Sequence, residues 1–330
     1  MQRSRAMRQR IVSSVGHANV PRGFFCLEGR VQVNRYKLLI ALLSVVSNCV
    51  LVVLKLIVGF AMGSISVISE ALHSGVDVFA AIVATVGVKR ASEPADKQHA
   101  FGHGKFESLS GLIQAFLIFL AAGWILNEAI HKLIKPGHMD TFGPGVVVMF
   151  VSAVVNTVVG LLLLHGARKT DSLALKADAW HCITDVYTSA GVMLGLCIMW
   201  AGRQWFPGAS LSWVDPVAAI AVALLIIKAA WDLSLESVRD LLDVSLPQHE
   251  EDEIKAIITS KYPKVTGLHK FRSRRSGAKR FVEFHIEVDP GMSVETSHAL
   301  HHGLAEEIKQ RFPKAEVMVH IEPLKKKRRR

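Results

Sequence analysis

The chain has 330 residues, half of them hydrophobic, and a mean hydropathy of +0.32, which indicates a membrane protein. Its four cysteines form no CxxC pair, which excludes a cysteine-based zinc framework and is typical of buried thiols in a reducing cell interior. The formal net charge is +11, but the basic stretches at residues 3–10 and 325–330 are expected to meet anionic lipid or water, not nucleic acid.

The chain begins with a basic, polar segment, residues 1–36, in which no cleavable signal peptide is visible. Apolar runs of roughly 20 residues, enough to cross a hydrocarbon core of about 30 Å, then occur six times. The predicted spans are residues 38–60, 64–88, 109–133, 145–165, 173–201 and 213–235. They predict a transmembrane domain of six α-helices at residues 37–236.

Positive charge is distributed unevenly over the short loops. Ten lysines and arginines fall on the side that includes the N-terminus, and three fall on the other side. Because cytoplasmic loops are enriched in lysine and arginine, both termini are predicted to be cytoplasmic.

After a linker at residues 237–246 the chain becomes charged and loses every long apolar run. Residues 247–323 therefore predict a soluble cytoplasmic domain, followed by a basic tail at residues 324–330. Helical periodicity and strand alternation predict the order αββαβ, with the two helices packed on one sheet face and the other face left free. The predicted elements are residues 249–261, 265–274, 280–288, 293–312 and 315–322.

Several histidines of this domain fall on the free sheet face. Side chains alternate along a strand, so His285 points away from the apolar set of its strand, and His320 and Glu322 share one face. With His269 on the first strand and His298 on the second helix, they supply nitrogen and oxygen ligands for a first-row divalent metal. The alternative is a set of solvent-exposed histidines that bind no metal.

Two predicted membrane helices carry the same pattern of an acid, a histidine three residues later and an aspartate four residues further on. The two copies are Glu70, His73, Asp77 and Asp178, His181, Asp185. Each histidine and the aspartate after it lie on one side of a helix of 3.6 residues per turn. An aspartate at the centre of a membrane costs at least about 2.5 kcal/mol, so the repeat indicates a functional site.

The two copies together would offer two imidazoles and two carboxylates to one cation. Four such ligands cancel a 2+ charge and suit tetrahedral Zn²⁺ better than Mg²⁺ or Ca²⁺. Glu70 and Asp178 lie slightly off the ligand direction and are predicted to be supporting residues. Hydrogen bonding to a ligand, a proton relay and solvation of a helix end are all open roles for them.

A third cluster occupies the connection after the second predicted span. Pro94 and neighbouring glycines indicate a loop, and Asp96, His99 and His103 follow one another at spacings of three and four. These three side chains could bind a metal if a short turn forms. The alternative is a solvated connector without a ligand.

The HxxxD pair, the PADxxHxFGHGKxE loop at residues 94–107 and the histidine-bearing C-terminal domain together resemble the cation diffusion facilitators. The resemblance covers nearly the whole chain after about Lys37. It implies proton-coupled export of divalent transition metals by a Y-shaped or V-shaped homodimer. It also implies six transmembrane helices per protomer and a ferredoxin-like cytoplasmic domain, and the expected location is the bacterial inner (plasma) membrane.

The resemblance also implies residue roles. The implied transport metal site is His73, Asp77, His181 and Asp185. The implied loop site is Asp96, His99 and His103, and the implied cytoplasmic binuclear site is His269, His285, His298, His320 and Glu322. Lys105 and Asp243 resemble a charged pair at the dimer hinge. A histidine at position 73, where some bacterial members have aspartate, is associated with zinc, and Glu322 stands where aspartate is more usual.

The expected function is a proton-coupled antiporter that exports Zn²⁺ from the cytoplasm by alternating access, with Cd²⁺, Fe²⁺ and Co²⁺ as further candidates. The cytoplasmic domain is expected to respond to zinc, and the expected partners are a second copy of the chain, protons and membrane lipid. No organic cofactor and no enzymatic activity are expected, and the lack of HExxH excludes that type of metalloprotease. The alternative is a membrane metal sensor or scaffold that does not transport.

Overall fold

The computed structural model describes residues 22–62, 65–134, 144–205, 213–262 and 265–324, except for some side chains within the membrane helices. Residues 325–330 of the predicted basic tail and most of the predicted basic N-terminal segment lie outside these residues. The chain divides into two compact units, Met1–Tyr36 and Lys37–Arg330, and all candidate sites belong to the second unit.

The part of the chain that the structure describes contains six long helices, one for each predicted span. They are α1 (Arg22–Met62), α2 (Ile65–Ala91), α3 (Lys105–Ile134), α4 (Pro144–Thr170), α5 (Leu173–Trp205) and α6 (Val214–Leu241). Four contain a segment long and apolar enough to cross a membrane: Asn34–Val58, Lys105–His131, Phe150–Thr170 and Pro216–Leu241. Among the described residues, α2 and α5 do not meet this criterion, so the count of six membrane spans stays a prediction.

Large apolar side chains on these helices point away from the protein. Leu39, Phe116, Trp124 and Trp231 are each more than half exposed. In water such a surface would be an association hazard, whereas in a bilayer it meets lipid chains of the same polarity.

The membrane helices pack through small residues. Ala41 and Ala174 lie in a buried cluster formed by α1, α2, α4 and α5. Ala115, Ala177 and Ala230 lie in a second cluster, formed by α3, α5 and α6. Small side chains let helix backbones approach closely where lipid provides no hydrophobic driving force. Because α5 takes part in both clusters and also contacts α2, it holds its polar residues in the centre of the bundle.

The soluble domain follows α6 directly. Its elements are α7 (Gln248–Lys261), β1 (Gly267–Ser276), β2 (Lys279–Val288), α8 (Val294–Arg311) and β3 (Ala315–Pro323). The sheet order is β1-β2-β3, with β1 antiparallel and β3 parallel to β2. The parallel pair requires a crossover, which α8 supplies. The predicted αββαβ order is confirmed.

The two helices of this domain cover one face of the sheet, as predicted. Ile258 of α7 and Leu304 of α8 pack with Val282, Phe284 and Ile286 in one apolar core. The opposite face carries the histidines.

That opposite face is not entirely free, so the prediction that it is left open is wrong at one position. Phe281 lies on it and is only 6% exposed. Phe101, from the loop after α2, contacts the Phe281 ring edge-on at 5.8 Å between centroids, and the Arg274 guanidinium stacks on both rings. The loop therefore covers this corner of the sheet.

Candidate metal sites

The two HxxxD helices bring three of the four predicted transport ligands together. Asp77 Oδ1 of α2 lies 3.0 Å from His181 Nε2 of α5, and both side chains are buried. Asp77, His181 and Asp185 each offer a ligand atom within 4.8 Å of the others. The i, i+4 spacing puts His181 and Asp185 on the same side of α5, one turn apart.

The fourth predicted ligand, His73, lies on α2 one turn before Asp77, but its side chain and that of Glu70 lie outside the described ones. Their roles stay predictions. Next to His73, the buried Ser74 hydroxyl accepts a hydrogen bond from Lys55 Nζ of α1 at 2.7 Å. An ammonium group at membrane depth is costly unless it has a polar partner, and Ser74 provides one. The hydrogen bond therefore links α1 to the helix that carries the site.

Asp185 has a further contact that the sequence did not predict. The Nδ2 of Asn156 in α4 donates to Asp185 Oδ2 at 3.3 Å, and Asn156 is 8% exposed. This bond anchors the Asp185 carboxylate beside the cluster. A polar residue within the apolar pattern of α4 was the only signal in the sequence.

The chemistry of this cluster suits a transported divalent metal. Two carboxylates and a neutral imidazole are good ligands for first-row metals, and the imidazole must lose its proton before it binds one. In the structure His181 Nε2 hydrogen-bonds Asp77, so a proton lies between two atoms that would both bind the cargo. A metal and a proton therefore compete for the same atoms, and metal entry requires proton departure.

The loop cluster forms as predicted, through a tight turn. Asp96 Oδ1 accepts the backbone N–H groups of Gln98 and His99 at 2.8 and 2.6 Å. Asp96 Oδ2 lies 3.3 Å from His103 Nε2, and the two imidazole rings lie 4.4 Å apart between centroids. The hydrogen bond from the His99 N–H, outweighing partial burial, lowers the pKa of Asp96. The carboxylate is therefore ionised at neutral pH.

The orientation of His103 is fixed from outside the cluster. Its Nδ1 lies 3.1 Å from the carbonyl oxygen of Pro94, and the side chain is buried. A carbonyl oxygen accepts a hydrogen bond only from a nitrogen that carries a proton, so this contact selects the tautomer protonated at Nδ1, in which Nε2 can bind a metal. The set Asp96, His99 and His103 thus fits a divalent transition metal.

The cytoplasmic cluster lies on the sheet face opposite the helices. Glu322 Oε1 lies 2.7 Å from His285 Nδ1, and Glu322 Oε2 lies 3.3 Å from His269 Nε2. His320 is adjacent, with its Nε2 3.7 Å from Glu322 Oε1 and its ring 4.5 Å from that of His285. The hydrogen bond from His285 lowers the pKa of Glu322, which keeps this side chain a carboxylate. One carboxylate and two imidazoles form a donor set that fits a divalent transition metal.

His298 is not among the three residues that come together here. It is exposed on α8, and its ring contacts that of His302 at 4.5 Å between centroids. Within a single chain the structure therefore brings three of the five predicted cytoplasmic ligands together, with His320 adjacent to them, and the role of His298 stays a prediction.

The predicted charged pair forms between the first residue of α3 and the chain just after α6. Lys105 Nζ lies 3.0 Å from Asp243 Oδ1, and it also donates to the Leu241 carbonyl oxygen at 3.2 Å. Burial alone would raise the pKa of Asp243, but hydrogen bonds from Lys105 and Arg274 outweigh it and lower that pKa. The pair joins α3 to the chain that leads into the cytoplasmic domain.

A second junction between the membrane helices and the cytoplasmic domain was missed by sequence reasoning. Asp171, between α4 and α5, accepts hydrogen bonds from Arg275 at 2.8 Å and from Arg280 at 2.9 Å. Arg280 also forms a bidentate pair with Glu250, and Lys314 donates to the Thr170 carbonyl oxygen at 2.7 Å. These charges are more than 100 residues apart in sequence, and no local motif connects them, so the junction could not be predicted from the sequence.

Known proteins share both parts of this architecture. Residues 41–242 match the cation efflux transmembrane domain, and residues 246–324 match the cytoplasmic domain of cation efflux proteins. The chain is 31% identical over 283 residues to the cation-efflux pump FieF of Citrobacter koseri, covering 86% of this chain and 91% of the relative. It is 32% identical over 273 residues to FieF of Salmonella typhimurium, covering 83% and 88%.

Solved structures similar to this chain cover its soluble part. The metal-bound C-terminal domain of the CzcD transporter from Thermotoga maritima is 35% identical and covers 25% of this chain and 99% of its own, with a TM-score of 0.22. The cytosolic domain of a cation diffusion facilitator family protein is also 35% identical and covers 24% and 98%, with a TM-score of 0.22.

Proposed function

Because this chain belongs to the cation diffusion facilitator family, and is therefore a cation-efflux transporter and not an enzyme, we propose that it exports Zn²⁺ from the cytoplasm in exchange for protons. The observation that carries this proposal is the buried cluster of Asp77, His181 and Asp185, in which a proton and a metal compete for the same atoms. His73 is proposed as the fourth ligand, and it favours zinc over iron, manganese or cadmium.

The transport cycle follows from the ligand chemistry. In a state open to the cytoplasm, Zn²⁺ binds and the proton between His181 and Asp77 leaves. In a state open to the outside, protons return to these groups and displace the metal. Because Nε2 of an imidazole binds either a proton or a metal, uptake of one at this group is coupled to release of the other. Glu70 and Asp178 are supporting residues in the cycle, not ligands.

The arrangement of the chain in the membrane is part of the same proposal. We place six helices across the bilayer, both termini in the cytoplasm and the cytoplasmic clusters on the side from which metal arrives. This orientation is supported by the distribution of ten against three basic loop residues. The functional unit is a homodimer.

We further propose that the ferredoxin-like cytoplasmic domain responds to zinc. His269, His285, His320 and Glu322 would hold the metal, with His298 supplied by either copy, and the metal would draw two domains of the dimer together. Support comes from the cluster on an accessible sheet face, where a cation would neutralise Glu322. Spin labels or fluorophores on the two domains should move closer as zinc is added.

Proton coupling is tested with purified protein in proteoliposomes that contain a zinc-sensitive dye. We expect Zn²⁺ uptake to accelerate when the vesicle interior is more acidic than the bath, because protons leave as metal enters. Uptake that is indifferent to the pH gradient would refute the coupling. Absence of uptake under every gradient, with zinc still bound, would favour the alternative of a metal sensor or scaffold.

Metal choice is tested in the same vesicles. We expect Zn²⁺ to be transported in preference to Fe²⁺ and Co²⁺ when they compete at equal concentration, with Cd²⁺ the strongest competitor. His73→Asp should reduce this preference, since an imidazole is replaced by a harder oxygen ligand. An unchanged ranking in the variant would show that His73 does not set the choice of metal.

A further inference from the structure

His181 has two ring nitrogens, and only one is used in the transport cluster. Its Nε2 faces Asp77, whereas its Nδ1 is buried and has no hydrogen bond among the described residues. A histidine that binds a metal through one nitrogen almost always donates the N–H of the other to a carboxylate, a carbonyl or a water. In the transport site that second contact is unassigned.

A carboxylate lies one helix turn before His181. Asp178 is fully buried, and neither of its oxygens has a hydrogen bond of standard geometry among the described residues. It interacts electrostatically with His181, and the Ser44 hydroxyl of α1 lies close enough to interact with it. The Ser44 oxygen is also buried and without a hydrogen bond of its own in the described part of the chain.

These three groups are complementary to one another. A buried carboxylate without a hydrogen bond costs several kcal/mol, which is why buried polar groups are almost always satisfied. A buried water needs two to four polar contacts, and the carboxylate, the imidazole N–H and the hydroxyl provide three. The rest of this region of α5 is apolar and includes the buried Ala179 and Cys182.

We propose that Asp178 is a positioning residue for the transport site. It accepts the Nδ1 proton of His181 through one bridging water that also bonds Ser44. This holds the imidazole in the tautomer that presents a free Nε2 to the metal, and it fixes the plane of the ring. Asp178 itself does not touch the cargo. The inference rests on the proposed function in one respect, that His181 is a ligand.

The direct test uses Co²⁺ as a spectroscopic probe in the full chain. Alanine at His99 and His269 removes the loop and cytoplasmic sites, so that the d–d absorption of Co²⁺ reports the transport site. In this background Asp178→Asn should weaken Co²⁺ binding about 10- to 100-fold and change the d–d bands. Zn²⁺ transport by Asp178→Asn in proteoliposomes should show a raised KM with a smaller change in kcat.

A matched control is Asp240→Asn, which also replaces a buried aspartate near a helix end. Asp240 lies on α6, where its carboxylate accepts a hydrogen bond from the Ser108 hydroxyl. It should leave Co²⁺ binding unchanged. Thermal unfolding distinguishes a loss of ligand positioning from a loss of folding. Asp178→Asn removes a buried charge, so its melting temperature should equal or exceed that of the wild type. A variant that is at least as stable and yet binds metal more weakly cannot owe its defect to misfolding.

Wild-type Co²⁺ affinity and spectrum in Asp178→Asn would overturn the inference and leave the proposed function intact. Unchanged Co²⁺ binding in His181→Ala would instead overturn the transport site itself. If Asp178→Asn does not fold, Co²⁺ binding by Ser44→Ala tests the inference in its place. Loss of one contact to the bridging water should weaken Co²⁺ binding two- to tenfold. Wild-type binding in Ser44→Ala would then overturn the inference.

Discussion

At the scale of single residues, the meeting of Asp77, His181 and Asp185 could be predicted because helix geometry fixes the side of the helix on which each lies. An HxxxD pattern puts both side chains on one side of a helix whatever surrounds it. The contact of Asp77 with His181, over a separation of 104 residues, required only that the two patterned faces meet. Asn156 could not be found in this way, since a single asparagine in an apolar run does not reveal which helix it faces.

Replacement of Asn156 should weaken the site without abolishing it. Asn156→Ala removes the donor to Asp185, so the carboxylate is held less firmly and KM for Zn²⁺ should rise about tenfold. Uptake kinetics in proteoliposomes measure this. Ser152→Ala, one turn earlier on α4 and also buried, is the control and should keep the wild-type KM. A KM unchanged in both variants would show that Asn156 has no part in the site.

At the scale of elements, the soluble domain could be predicted nearly in full because its periodicities are distinct. Alternation along β2 separates Val282, Phe284 and Ile286 from His285, and the burial of these residues follows it. The covering of Phe281 by Phe101 and Arg274 could not be predicted, because it depends on how the loop after α2 docks. The same docking brings Gly104 against the turn between β1 and β2.

Gly104 should tolerate no side chain. A Cβ atom there would lie 2.4 Å from the backbone oxygen of Ser276, which cannot move without opening the turn. Gly104→Ala should lower the free energy of unfolding by about 1–3 kcal/mol, the usual range for overpacking. Thermal unfolding of the full chain in detergent measures the effect.

The matched control is Gly123→Ala in the middle of α3, where a Cβ atom would meet nothing within 4 Å. It should stabilise the chain by roughly 0.5–1 kcal/mol, because alanine loses less backbone entropy than glycine in a helix. Equal stability of the two variants would contradict the close approach of loop and turn.

At the scale of the whole molecule, the cytoplasmic domain is attached to the membrane helices by charged contacts at several points. The Asp171 carboxylate forms salt bridges with Arg275 and Arg280, and that of Asp243 forms salt bridges with Lys105 and Arg274. The role of Asp243 was predicted from the family resemblance, whereas no local sequence pattern indicated the role of Asp171. Because α5 carries His181 and begins just after Asp171, the first junction connects the helix of the proposed transport site to the domain.

Removal of Asp171 should loosen this junction. Asp171→Ala leaves two arginines without their shared acceptor, so amide hydrogen exchange of residues 275–280 should become several-fold faster, as measured by mass spectrometry. Glu93→Ala, which removes an exposed pair with Arg90 at the end of α2, should leave the exchange of this segment unchanged. Identical exchange in Asp171→Ala and the wild type would show that Asp171 does not hold the junction.

The same junction should become more stable at alkaline pH. Burial lowers the pKa of Lys314 from 10.5 to about 8, so between these values the unfolded chain binds more protons than the folded chain. Stability contributed at this position therefore rises as pH increases from about 8 towards 10. The melting temperature at pH 9.5 minus that at pH 7.5 should be larger for the wild type than for Lys314→Met. Equal differences would contradict the burial of a charged lysine at this contact.

The measurement that most directly tests the central claim is Zn²⁺ uptake by proteoliposomes containing Asp185→Ala, compared with wild type and with the Asp240→Asn control. All three proteins should elute as folded particles of the same size with the same helical content. We predict that Asp185→Ala shows no uptake above empty vesicles while Asp240→Asn transports zinc. Transport retained in Asp185→Ala would show that the metal does not pass through the cluster of Asp77, His181 and Asp185.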